Sequence, residues 1–236
     1  MSEWAAKRFW KEASVTELPE GFGVALDGRP VKTPAKAPLV VPTRALAEAI
    51  AAEWDAQEGS IKPQTMPTTR SANAAIDKVA VQKDEVVTMI AEFGGTDLLC
   101  YRAEGPEELV ERQAALWDPL LEWAAQELEA PLEVTVGVLP VAQPEASLSR
   151  LHAHVAALDP FALAALHDLV SISGSLVLGL AVARGKVPVE DAWVISRLDE
   201  DWQIAQWGED EEAAEIASLK REALCDAARI WALARR

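Results

Sequence analysis

The sequence predicts an α+β protein in which a small N-terminal antiparallel β domain with helices precedes a C-terminal α-helical bundle. Three observations support this class: short β-forming runs before residue 42, helical periodicity from Thr43 onward, and long helical stretches beyond Pro106. A boundary near Glu104 divides the chain into an α+β domain (1–104) and a helical domain (105–236). With 236 residues, half of them hydrophobic, the chain can bury a sizeable core.

The first forty residues are typical of a small antiparallel sheet. Residues 22–26 are apolar and lead into Asp27 and Gly28, a two-residue hairpin signal because both positions must accept positive φ. Gly28 is therefore assigned a structural role. The strand resumes over residues 29–32, and prolines mark the edges of the sheet.

From Thr43 the spacing of apolar residues becomes helical. Thr43 is a candidate N-cap, and Leu46, Ile50 and Trp54 then fall on one face at a spacing of four. This shared face gives Trp54 a structural role. Further helices are predicted at 71–80 and 84–93.

The remainder of the chain is predicted to be mostly helical. A helix over 106–128 should kink or restart at Pro119. Residues 132–139 form a lone strand-like run that we expect to rejoin the N-terminal sheet. Four further helices are predicted, at 144–158, 160–183, 189–207 and 209–234.

Residues 161–183 imitate a membrane span in length. Asp168 lies inside this stretch, and an Asp near mid-membrane costs about 2.5–3.5 kcal/mol, so a helix buried within the protein is favoured over membrane insertion. Four small residues recur along it at every fourth position, and their stripe suits either close helix packing or a ligand groove: Ser171, Ser175, Gly179 and Ala183.

The composition excludes several classes of partner and compartment. A net charge of −16 repels nucleic acid phosphate and anionic lipid, so neither is an expected partner. Cys100 and Cys225 form no CxxC pair, which fits a reducing compartment. The first residues show neither a signal peptide nor a transit peptide, so a cytoplasmic location is expected.

No catalytic, metal or cofactor motif is recognised in the sequence. There is no G-x-S-x-G nucleophile motif and no Gly-rich phosphate loop. His152 and His154 are two residues apart, so on a helix they point about 200° from each other and do not share a metal. His167 stands alone beside Asp168. We therefore predict no catalytic residue, no metal ligand and no cofactor.

Residues 197–215 are the most unusual stretch, because they hold eight carboxylates and two tryptophans. No Lys or Arg lies between Arg197 and Lys220. Asp199, Glu200 and Asp201 are consecutive and splay around a helix, whereas acid–base catalysis needs two acids that converge on a substrate. A docking surface is therefore favoured over a catalytic site. The remaining alternative is a solvent-exposed helix face with no binding function.

The two tryptophans of this stretch are assigned different roles. Trp202 shares a predicted buried face with Ile195, Leu198 and Ala205, and is expected to be structural. Glu200, Gln203 and Trp207 lie on another face. Trp207 is then either an exposed binding residue or a residue that packs under the Gly208 turn onto the last helix, and the sequence leaves both open.

Several stretches, in order, carry a family resemblance: KRFWKEASV, GFGVALDGRPVKTP, VPTRALAEAIAAEWDAQ, IKPQTMPTT, TDLLCYR, LVERQAALWDPLLEWA and SRLDEDWQIAQWGEDEEA. The chain resembles the assembly chaperones that hold the alpha subunit of the F-type ATP synthase catalytic sector. The resemblance implies a non-enzymatic chaperone without a cofactor, and the lack of a recognisable transit peptide favours a bacterial member of the family. The resemblance further implies that such a chaperone binds the free alpha subunit, covers the surface later offered to the beta subunit and blocks alpha self-association. It also implies that the functional acid is Asp199 or Glu200.

The predicted partner-binding residues are Asp199, Glu200, Gln203, Trp207 and Glu211. We expect the chain to be a monomer whose partner is the alpha subunit. A carboxylate-dependent hydrolase and a generic acidic adaptor protein remain the alternative functions.

Overall fold

The computed structural model describes residues 7–235, which divide into two compact units. The described part of the first unit comprises 7–83, 159–165 and 229–235, and the second comprises 84–158 and 166–228. Along the sequence, the first change from one unit to the other lies between Lys83 and Asp84. The domain boundary after Glu104 stays a prediction.

An antiparallel sheet opens the first unit. Its strands are β1 (Ala13–Leu18), β2 (Gly21–Leu26), β3 (Arg29–Pro30) and β4 (Val40–Val41). Strand β2 pairs with each of the other three. Asp27 and Gly28 connect β2 to β3 with φ of 47° and 78°, so the turn lies where the sequence predicts it.

Helices α1 (Arg44–Asp55) and α2 (Pro67–Ala74) lie wholly within the first unit, and a π-helical segment (Ala75–Val79) follows α2. Thr43 Oγ1 accepts the Leu46 N–H at 3.1 Å, which confirms the predicted cap of α1. Leu46 and Ile50 are buried in the core formed with the sheet. Trp54 packs against the same core and meets Trp10 edge to face, with ring centroids 5.2 Å apart.

The rest of the chain is mainly helical, as the predicted fold class requires. Its elements are α3 (Lys83–Glu92), β5 (Tyr101–Arg102), α4 (Glu107–Glu127), β6 (Thr135–Val136), α5 (Glu145–Ala156), α6 (Pro160–Ser173), α7 (Leu176–Ala183), α8 (Val189–Ser196), α9 (Leu198–Trp207) and α10 (Glu211–Ala234). Within residues 7–235, no helix combines the length and the apolar content that a bilayer crossing demands.

Helix α4 runs through Pro119 as one element, so the predicted restart there is wrong. Pro119 lacks the N–H that would bond one turn back, but packing elsewhere on the helix compensates for this loss. Trp117 is buried in full, and its Nε1–H donates to the Ile195 carbonyl at 3.1 Å. This bond joins α4 to the end of α8.

Two predicted long helices are each broken in the structure. Residues 160–183 form α6 and α7, because Gly174 takes φ 71° and the Ser175 side chain caps α7 by accepting the Leu178 N–H. The predicted stripe of small residues is therefore not one helix face. Gly179 does mark a close approach, since a Cβ there would lie 2.6 Å from Val170 Cγ2. Residues 189–207 divide at Arg197 into α8 and α9.

The predicted return of residues 132–139 to the N-terminal sheet is also wrong. Strand β6 pairs in parallel with β5, and the register places Thr135 opposite Tyr101 and Val136 opposite Arg102. The pattern of apolar residues identified a strand, but it contained no information on which strand would be its partner.

Asp97 is a buried carboxylate beside the start of α7. Its Oδ1 accepts the Leu99 N–H at 3.1 Å and its Oδ2 accepts the Val177 N–H at 2.9 Å. Burial nevertheless raises the pKa of Asp97 to about 6, because desolvation outweighs these hydrogen bonds.

The pKa of Asp97 predicts a pH-dependent difference between the wild type and Asp97→Asn. The folded chain binds the Asp97 proton near pH 6 and the unfolded chain near 3.8. Below about pH 4 Asp97 is protonated in both states and contributes its full stabilisation to the free energy of unfolding. This contribution falls by about 3 kcal/mol as pH rises from 4 through 6. Urea unfolding of both proteins from pH 4 to 7 should show the wild type losing stability relative to the variant. A difference independent of pH would contradict this prediction.

Candidate partner-binding surface

The three consecutive acids Asp199, Glu200 and Asp201 occupy the first turn of α9. The N-terminus of a helix carries partial positive charge, so acids there stabilise the helix by about 0.3–1 kcal/mol each. Stabilisation of the helix alone is thus enough to explain why acids occupy these three positions. Their individual contacts distinguish them.

Asp199 is held by the protein itself. Its Oδ1 accepts a hydrogen bond from Gln113 Nε2 at 2.7 Å, and the buried Gln113 in turn accepts the Ala103 N–H at 2.8 Å. This chain of bonds ties the start of α9 to α4 and to the residue after β5. Sequence analysis assigned Gln113 no functional role, although its helical spacing with Trp117 and Leu121 places a polar side chain on an otherwise apolar face.

Asp201 also has a partner within the protein. Its Oδ1 lies 3.4 Å from Arg197 Nε, one helical turn back, and the Arg197 guanidinium lies 5.2 Å from the Trp193 ring centroid. Asp201 thus balances the cation at the junction between α8 and α9.

Glu200 differs from both neighbours. Its side chain is exposed, and across residues 7–235 neither a hydrogen bond nor an ion pair engages its carboxylate. It lines a small cavity of about 210 Å³ together with Arg197 and Lys220. Glu200 is therefore the acid of the three whose carboxylate stays available to a partner.

Trp202 and the residues around it anchor α9. Ile195 and Leu198 are buried, and Trp202 is half-buried with the Arg112 guanidinium 5.0 Å from its ring centroid. Ala205 is exposed, so its predicted membership of this buried face is wrong. Helix α9 begins after Arg197 and ends at Trp207. The residues of its last turn, 205–207, are exposed and lie beyond the packed part of the helix.

Trp207 is 80% exposed at the end of α9. Of the two alternatives left open by the sequence, packing onto the last helix is therefore wrong. Gly208 follows with φ 91° and ends the helix, and its N–H donates to the Ile204 carbonyl at 2.8 Å. A large aromatic ring is thus presented to solvent on a turn fixed by the backbone.

The start of α10, which follows shortly after Gly208, is also acidic. Asp210 caps this helix by accepting the Ala213 N–H at 2.8 Å, and Glu211 and Glu212 follow in its first turn. Glu211 and Gln203 are both exposed, while Asp199 alone of the five predicted partner-binding residues is half-buried. Helical spacing places Glu200, Gln203 and Trp207 on one face of α9.

Two further apolar side chains on α10 are exposed, Ile216 and Leu219. Sequence analysis overlooked them, although they follow three residues apart directly after an acidic run. We define the acidic–aromatic surface as Glu200, Gln203, Trp207, Glu211, Ile216 and Leu219.

A second groove, of about 460 Å³, is the feature most relevant to the hydrolase alternative. Glu104 and Asp199, from different elements, both line it, next to Arg102 and Gly137. Asp199 is tethered to Gln113, a contact typical of a positioning role. Within residues 7–235 no group of three His, Cys, Asp or Glu side chains is arranged to hold a metal ion.

Comparison with known proteins adds independent information. A family model described as ATP12 chaperone protein matches residues 7–125. The chain is 30% identical over 223 residues to "Protein atp12, mitochondrial" of Schizosaccharomyces pombe, covering 89% of this chain and 76% of that protein. The crystal structure of Atp12 from Paracoccus denitrificans matches with a TM-score of 0.95 and 53% identity, covering 99% of this chain and 100% of that one. An Asp-to-Lys mutant of Atp12p from the same organism gives a TM-score of 0.96 at the same identity and coverage.

Proposed function

This chain belongs to the ATP12 chaperone family, and we propose that it assists ATP synthase assembly by binding the free alpha subunit of the F-type catalytic sector. By covering the surface that alpha later presents to the beta subunit, it prevents alpha self-association. The observation that carries the proposal is Trp207, which is 80% exposed within an acidic surface.

The acidic–aromatic surface has the composition of a protein-binding site. Exposed tryptophans are costly in water and are frequent among the residues that dominate binding energy. Acids around such an anchor attract a basic partner and repel acidic ones, and the net charge of −16 extends this selection over long range. The surface therefore fits an apolar pocket with a basic rim on the client.

We assign different roles to the two candidate acids at the start of α9. Glu200 is the acid proposed to contact the client, because its exposed carboxylate makes neither a hydrogen bond nor an ion pair with residues 7–235. Asp199 positions α9 through its bond to Gln113. We also propose that the chaperone acts as a monomer in the bacterial cytoplasm.

The role of Glu200 can be tested by charge reversal. We expect Glu200→Lys to weaken binding of the isolated alpha subunit by tenfold or more, because it replaces attraction with repulsion at a basic rim. The circular dichroism spectrum should not change, since the side chain is exposed. The free energy of unfolding should fall by no more than about 1–2 kcal/mol, because a cation replaces an acid in the first turn of α9. Isothermal titration calorimetry measures the affinity.

Glu48→Lys is the matched control for this experiment. Glu48 is exposed on α1 in the first unit, so the variant makes the same change in net charge outside the surface. Equal loss of affinity in both variants would assign the effect to net charge and remove the proposed role of Glu200.

Two other functions stay as alternatives. A generic acidic adaptor would retain another basic protein in affinity purification from the native host, whereas the proposal requires the alpha subunit. A carboxylate-dependent hydrolase is favoured by the groove that Glu104 and Asp199 share. Hydrolysis of a substrate that is lost in Glu104→Gln would support that alternative.

A further inference from the structure

The segment that contains β6 exposes a run of aliphatic side chains. Val134, Val136, Val138 and Leu139 are 46%, 62%, 91% and 76% exposed. An isolated exposed aliphatic residue is ordinary, but four within six positions form an apolar patch of the kind that marks an interaction site. We call residues 133–139 the β6 segment.

The backbone of β6 has an unpaired outer edge. Among residues 7–235, β6 pairs with β5 and with no other strand. The Gly137 N–H donates to the Arg102 carbonyl at 2.8 Å, so Gly137 faces β5. Because alternate residues of a strand face opposite sides, Val136 directs its N–H and C=O outward.

The edge of β6 differs from that of β1 in the first unit. The exposed side chains of β1 are polar: Ser14, Thr16 and Glu17. Polar and charged side chains are the usual protection of an edge against pairing with another chain. In the β6 segment the exposed positions are largely aliphatic, so this edge lacks that protection.

The groove beside the β6 segment is acidic. It is lined by Glu104 and Asp199, and it reaches Gly137 and Val138 of the β6 segment. The cation in the groove, Arg102, is already neutralised, because its Nη2 lies 2.7 Å from Asp118 Oδ1. The groove therefore favours a basic side chain.

We propose that β6 is a strand-addition site for an extended segment of the client, with apolar side chains that cover Val134 and Val136 and a basic side chain in the groove. Strand addition satisfies the free N–H and C=O of Val136, and the apolar contacts and the basic side chain supply specificity. Asp199 belongs both to this groove and to α9, so the β6 segment lies beside the start of α9, where Glu200 of the acidic–aromatic surface also lies. This inference rests on the proposed function and adds a second client contact to it.

Binding of the isolated alpha subunit to the full-length chain tests the inference. Val136→Lys removes the apolar contact and adds a charge that opposes a basic segment, so affinity should fall by tenfold or more. Val81→Lys is the matched control, because Val81 is 80% exposed in the first unit, and its affinity should match the wild type. Hydrogen exchange should show slower exchange of the Val136 amide in the complex, as pairing with an added strand requires.

Three results would overturn the inference, and they are distinguishable. If the wild type binds alpha but Val136→Lys binds equally well and the Val136 amide is not protected, the β6 site is wrong and the proposed function stands. If the wild type does not bind alpha, the proposed function is wrong, and the inference about β6 is wrong with it. If Val136→Lys only abolishes self-association in sedimentation velocity, the occupant of the edge is a second copy of this chain.

Discussion

Replacing Trp207 with alanine is expected to weaken alpha-subunit binding by about 30-fold to 1,000-fold, the equivalent of about 2–4 kcal/mol for a dominant interface residue. The side chain is 80% exposed in the free chain, so its removal should change the free energy of unfolding by no more than about 0.5 kcal/mol. Calorimetric titration gives the affinity, and urea unfolding gives the stability.

Two controls separate an aromatic anchor from a general surface effect. Trp207→Phe keeps a ring and should retain most of the affinity. Val194→Ala alters another exposed apolar side chain, on α8, and should bind like the wild type. If Trp207→Ala binds as tightly as the wild type, Trp207 does not anchor the client.

Trp117→Ala is expected to lower the free energy of unfolding by about 3–5 kcal/mol. The side chain is buried in full, so its loss leaves a large cavity, and the Ile195 carbonyl loses its hydrogen bond from Nε1. The Arg102 guanidinium, 5.4 Å from the ring centroid, loses its aromatic neighbour as well. The midpoint of urea unfolding, followed by circular dichroism, measures the change.

Trp117→Phe separates the contribution of packing from that of the hydrogen bond to Ile195. It restores most of the volume but not the indole N–H, so it should be less destabilising than Trp117→Ala. Similar losses for both variants would show that the hydrogen bond to Ile195 outweighs packing. A change below about 1 kcal/mol in Trp117→Ala would contradict the packing described for α4.

Features determined by local sequence were predicted well. The positive φ of Asp27 and Gly28 and the cap by Thr43 follow from the chemistry of one or two residues. The fold class followed from the change in periodicity at Thr43. The break at Gly174 also has a local cause, since Gly174 takes φ 71° and Ser175 caps α7, but the apolar pattern that continues across it concealed the break. The break at Arg197 likewise lies inside a helical pattern that continues across it.

Features that depend on distant residues could not be read from the pattern. The pairing of β6 with β5 joins segments more than thirty positions apart. The bond from Gln113 to Asp199 spans 86 positions, and it separates the roles of two adjacent acids that looked equivalent in the sequence. The exposure of Trp207 likewise depends on where α9 ends relative to its packed part.

The central claim is that this chain binds the free alpha subunit through the acidic–aromatic surface. Its most direct test is calorimetric titration of the isolated alpha subunit with the wild type and with Trp207→Ala, followed by addition of the beta subunit. We predict a one-to-one complex with the wild type, much weaker binding by the variant, and release of the chaperone when beta is added. No binding of alpha by the wild type, or a complex of equal affinity with Trp207→Ala, would contradict the claim.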